Sequence, residues 1–176
     1  MVFLAEENKL YEEFLKIINT RAIQIICICL LSLLLCQLLK FVILSIRDKK
    51  IVWKYFAYTG GFPSSHTNLC MTLVTSLFLF QLHDINGIDW SFAVAVVFAL
   101  ITIHDSMGIR LEASKHAVIL NNYAKELTHE EKESLGYGKK GTLKELLGHH
   151  FYEVLGGIVF GIIMGISGYF ILVSFI

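Results

Sequence analysis

Four long stretches of the chain are almost wholly apolar, and short polar segments separate them. The first covers residues 22–46, about 25 residues, enough to cross ~30 Å of hydrocarbon at ~1.5 Å per residue. The second covers roughly 67–82, the third roughly 88–103 and the fourth 152–176. The middle two are about 16 residues each and fall short of the ~20 that a full span needs. That predicts helices that thin the bilayer, extend through polar ends, or keep one end below the surface. Ahead of the first stretch, Leu4, Leu10, Phe14, Ile17 and Ile18 recur at roughly helical spacing, which predicts an interfacial amphipathic helix over residues 4–18. Between the third and fourth stretches, residues 111–127 read as a helix. Residues 128–142 are charged and glycine-containing and read as a loop on the membrane surface. The expected fold is an all-α, polytopic membrane helix bundle. It has about four transmembrane helices, an N-terminal amphipathic helix and a surface loop-helix.

Composition agrees. Of 176 residues, 55% are hydrophobic and only 17% are charged, more apolar surface than a soluble domain of this size can hide. A single proline and the lack of any linker-like or repeated segment predict one domain over residues 1–176. The formal net charge of zero gives no reason to expect a nucleic-acid partner. Cys27, Cys29, Cys36 and Cys70 all lie in apolar stretches and read as packing residues. Glu6, Glu7, Glu12 and Glu13 precede the first apolar run, unlike the basic start of a secretory signal. In the fourth stretch Gly157, Gly161 and Gly165 repeat at spacing four, with Gly168 beyond. Such a stripe allows close helix packing in lipid and offers a surface for a homo-oligomer.

If all four stretches cross, Lys40, residues 63–66, residues 105–110 and residues 144–153 gather at one membrane face. The two loops of that face carry 11 of the 15 Lys and Arg residues, against 3 in the N-terminal segment. The positive-inside rule places this face in the cytoplasm.

The residues gathered there suggest chemistry. Gly60 and Gly61 lead into Phe62, Pro63, Ser64, Ser65 and His66, just before the second helix. Pro63 suits a first helical turn, whose free N–H groups attract an anion, and two hydroxyls and an imidazole sit beside them. An ordinary serine-capped helix start is the alternative. His149 lies four residues before Glu153 at the opening of the fourth helix, so the two share a helical face. A carboxylate that accepts one ring N–H fixes the tautomer and makes the other nitrogen more nucleophilic. A surface His/Glu pair and a two-residue metal pair with Asp105 as third ligand are the other readings. Asp105 follows an apolar run, where an ionisable group is costly, and its expected partner is Arg110 or Lys40. Lys40, with Gln37 one turn before it, either serves the site or snorkels to the interface. His83, His104, His116, His129 and His150 have no distinctive setting.

Taken together, Lys40, the 60–66 segment, Asp105–Gly108–Arg110, Leu143–Lys144–Glu145, Gly148–His149 and Glu153–Val154 resemble the divergent type-2 phosphatidic acid phosphatases. These are small membrane proteins related to acid phosphatases and vanadium haloperoxidases. The resemblance runs from about Gln37 to Gly161. It implies that Lys40 and Arg110 bind phosphate, with Lys144 near the usual position of a further basic residue. It also implies that Ser64 and Ser65 contact phosphate oxygens, that His66 is the acid, that His149 attacks phosphorus and that Glu153 orients it. Asp105 joins this catalytic set as an ionisable group at membrane depth. No cofactor and no metal are implied. This chain departs from the pattern in five places: Ser65 stands for glycine, Thr142-Leu143 for Ser-Arg, Glu153 for aspartate, His150-Phe151 for a small hydroxyl residue and proline, and four spans for six. The expected function is hydrolysis of a lipid phosphate. The alternatives are a non-catalytic lipid-headgroup or phosphate-binding protein, and a small transporter using Asp105 and Arg110.

Overall fold

The computed structural model describes residues 20–57, 60–137, 141–143 and 148–174. The helix expected over 4–18 lies outside them, as does Lys144. Six α-helices form among the described residues: α1 (Arg21–Asp48), α2 (Ser65–Asp84), α3 (Trp90–Met107), α4 (Ile109–Tyr123), α5 (His129–Ser134) and α6 (Phe151–Ser174), with short 3-10 turns at Trp53–Ala57 and Ala124–Glu126.

The bundle is polar inside and apolar outside. Ser32, Lys40, Thr67, Asn68, Thr72 and Ser76 are fully buried, whereas Leu30, Leu34, Val97, Phe98, Val159 and Phe170 are exposed. A lipid-facing protein has this arrangement, because hydrocarbon solvates leucine and the interior must satisfy polar groups. Along α1 every fourth residue from Gln24 through Ile28, Ser32, Cys36 and Lys40 to Leu44 is buried, one stripe of a helix. α2 meets it with Ser65, Asn68, Thr72 and Ser76. Ser32 Oγ donates to Asn68 Oδ1 at 3.0 Å and lies 2.8 Å from Thr72 Oγ1, so the two helices are joined by hydrogen bonds at mid-depth.

Among the described residues, three segments are long and apolar enough to cross a membrane: Arg21–Asp48, Trp90–Glu126 and Phe151–Ser174. α2 is less apolar, because its polar row faces inward, yet at 20 residues it spans ~30 Å. The middle helices are therefore longer than their apolar runs. α2 and α3 have 20 and 18 residues, not about 16, since Ser65, His66, Asp84 and residues 104–107 continue the helices. Their starts are set by caps. Ser64 and Asp89 accept hydrogen bonds from the backbone N–H groups of Thr67 and Ser91. The stretch expected as a surface loop contains α5, closed by a capping box between Thr128 and Glu131.

α6 packs most extensively on α2. The glycine stripe makes this possible: a Cβ on Gly161 would lie 2.6 Å from the Asn68 carbonyl oxygen, and one on Gly157 2.6 Å from that of Ser64. The stripe is thus taken up within the chain. The sequence offered it as a surface for a homo-oligomer; in this structure it faces α2 of the same chain.

Candidate functional site

The site forms where α1 ends, α2 and α6 begin, and α3 passes into α4. Pro63 does not occupy the first turn of α2. It follows a cis peptide bond and precedes Ser64, which is the cap. Ser64 Oγ accepts from Thr67 N–H at 3.3 Å and from the Thr67 hydroxyl at 3.0 Å, while the Ser64 N–H donates to the Glu153 carbonyl at 2.9 Å. Ser64 therefore locks the 60–66 segment onto α6.

Lys40 does not snorkel. It has no exposed surface, and its Nζ donates to Ser65 Oγ at 2.8 Å. Ser65 in turn donates to Gln37 Oε1 at 3.2 Å. An ammonium held this way is costly without anionic compensation, and the Glu153 carboxylate lies within electrostatic range of it.

His149 and Glu153 pair, but not along a helix. α6 starts at Phe151, so His149 lies just outside it, and the Glu153 side chain folds back over the helix start. His149 Nδ1 and Glu153 Oε2 are 2.9 Å apart, and the same oxygen accepts from the His150 N–H at 3.2 Å. His149 is 2% exposed, a packed residue and not a surface one. Its N–H donates to the Ser106 carbonyl at 2.9 Å, a main-chain contact that no side-chain pattern could announce. Gly148 permits that approach. Its φ is +76°, and a Cβ there would sit 2.5 Å from the Leu111 nitrogen.

His66 is exposed on the first turn of α2, its ring centroid 5.8 Å from that of His149 with the planes tilted by 59°. The charges of His149, Arg110, Lys40 and Asp105 all act on it. Arg110, not Lys40, is the partner of Asp105, with its Nε donating to Asp105 Oδ2 across the α3–α4 junction at Gly108. The fold thus brings together Lys40, Ser65, His66, Asp105, Arg110, His149 and Glu153, and assigns Ser64 a structural bond. Among the described residues no group of three or more His, Cys, Asp and Glu side chains is placed to hold a metal ion.

With Glu153 on Nδ1, the Nε2 of His149 is the nitrogen left to act as a base or nucleophile, with a second imidazole facing it and a buried ammonium close by. The described residues form an integral membrane helix bundle with this polar cluster at one end. The chain belongs to the divergent PAP2 family, whose sequence model matches residues 22–164 and so takes in every residue of this site. A relative from Bacillus subtilis (strain 168), described as "Uncharacterized membrane protein YuiD", is 33% identical over 142 residues, covering 77% of this chain and 87% of its own. No solved structure matches.

Proposed function

We propose that the protein hydrolyses a lipid phosphate through a phosphohistidine at His149. The observation that carries this reading is the buried His149–Glu153 pair facing His66 beside a buried lysine. Glu153 holds the Nδ1 proton, so the Nε2 lone pair attacks phosphorus. The P–O bond to the lipid breaks, and His66 protonates the departing oxygen. Lys40 and Arg110 stabilise the charge on the equatorial oxygens, with Arg110 shared between phosphate and Asp105. Water then attacks the phosphohistidine with His66 as base, releasing inorganic phosphate and restoring both imidazoles. Candidate substrates are phosphatidic acid, phosphatidylglycerol phosphate and polyprenyl phosphates or diphosphates, presented at the cytoplasmic face.

Purified protein in phosphatidylcholine vesicles should release phosphate from at least one of these lipids. Activity should survive excess chelator and fall with vanadate. Activity lost to chelator and restored by zinc or magnesium would instead make His149 and Asp105 metal ligands. The Asp105–Arg110 pair and the use of Ser64 as a cap favour a second reading. Two of the expected phosphate contacts are already engaged, as in a headgroup-binding protein without turnover. Vanadate binding with no phosphate release from any of these lipids would support that reading.

A further inference from the structure

α1 and α6 touch closely near Gly168, where a Cβ would lie 2.6 Å from the Ile28 side chain. Twelve residues nearer the site, at Gly156, an apolar groove of about 480 Å³ lies between them. Leu39 forms one wall, Val159 and Phe160 the other, and Phe62 and Pro63 close the end next to the site. The Phe62 ring lies on Gly156, where a Cβ would come within 2.3 Å of it, so a larger residue would push the ring into the groove or out of it. The volume is that of a small-molecule pocket, generally ~300–1,000 Å³.

The chain itself ties the groove to the site in two ways. Phe62 and Pro63 run directly into Ser64, Ser65 and His66. On α6, Glu153, Gly156 and Phe160 follow one another at helical spacing, so the carboxylate that orients His149 stands at the polar end of the same stripe that lines the groove.

We propose that this groove holds a hydrocarbon chain of the lipid whose phosphate occupies the His149 site, and that Gly156 and Val159 set which chains fit. The inference rests on the site being one for lipid phosphates. With its phosphate at His149, the lipid would lead its glycerol or prenyl end towards Tyr152, which lines the groove and whose ring stacks at 5.7 Å on that of His150. From there an apolar chain runs down α6 from Leu155 to Ile163, about 12 Å at ~1.5 Å per residue.

The test uses the full chain in phosphatidylcholine vesicles with trace photoreactive lipids. Phosphatidic acid and phosphatidylcholine, each with a diazirine in mid-chain, are cross-linked and the labelled residues mapped. The expected result is labelling of residues 155–163 by phosphatidic acid at least about tenfold above phosphatidylcholine, a difference worth ~1.4 kcal/mol. Val159→Trp, which fills the groove from its exposed wall, should remove that label. Equal labelling by the two lipids would make the groove ordinary lipid contact and overturn the proposal. So would phosphatidic acid labelling confined to other helices. Phosphate-selective labelling without phosphate release would sustain the groove while rejecting the phosphatase reading.

Discussion

Lys40 shows what a single residue contributes here. Its ammonium is buried in a helix of leucine and isoleucine, where it donates a hydrogen bond to the neutral Ser65 hydroxyl. Stability alone does not favour such a group. Taking an ammonium out of water costs several kcal/mol, and a hydrogen bond to a hydroxyl does not repay that. Lys40→Met should therefore leave the thermal midpoint in detergent unchanged or raised while vanadate affinity collapses, read by calorimetry and by titration. A lowered midpoint with unchanged vanadate affinity would show a structural lysine. The sequence offered two readings of this residue, because the side chain of a lysine about two turns from the end of α1 can bend either way. Only the position of Ser65, 25 residues on, decides between them. His149 was legible as a partner of Glu153 from spacing, but its burial was not. That burial depends on Gly148, the residue before it, bringing the chain against α4, and on the carbonyl of Ser106, which lies far from it in the sequence.

At the scale of elements, α2 is the helix on which the site depends. It begins at the Ser64 cap, presents Ser65 and His66 in its first turn, and lies against the glycine face of α6. Gly161 is the tightest part of that contact at mid-depth, facing the Asn68 backbone. Gly161→Ala should cost about 1–3 kcal/mol, typical of overpacking. Because the backbones must separate, it should also loosen the Ser64–Glu153 tie. Thermal unfolding with parallel vanadate binding measures both. An unchanged midpoint would mean that α2 and α6 are not held this closely. The existence and order of the long helices followed from hydrophobicity alone, since lipid demands long apolar runs. Their ends did not follow. The second helix was expected to begin near Thr67, whereas it begins at Ser65, and its polar row of Ser65, Asn68, Thr72 and Ser76 faces inward. The glycine stripe was recognisable as a contact surface, but a stripe carries no mark of its partner.

For the whole molecule, all the candidate chemistry sits at one end of the bundle, and the described basic loop residues lie towards the same end. A cysteine at Glu133, in a background lacking the four native cysteines, should be shielded from an impermeant reagent in intact cells. One at Asn86, in the opposite connection, should react. The reverse pattern would put the site outside the cytoplasm. The account as a whole turns on whether phosphate becomes bound to this protein at His149. Vesicle-embedded protein, given a lipid carrying labelled phosphate and quenched during turnover, should yield a labelled chain. The bond should be stable in base and labile in acid, map to His149, and be absent in His149→Asn that still unfolds cooperatively. A chain that releases phosphate while carrying no acid-labile label, or that is labelled equally after His149→Asn, would contradict it.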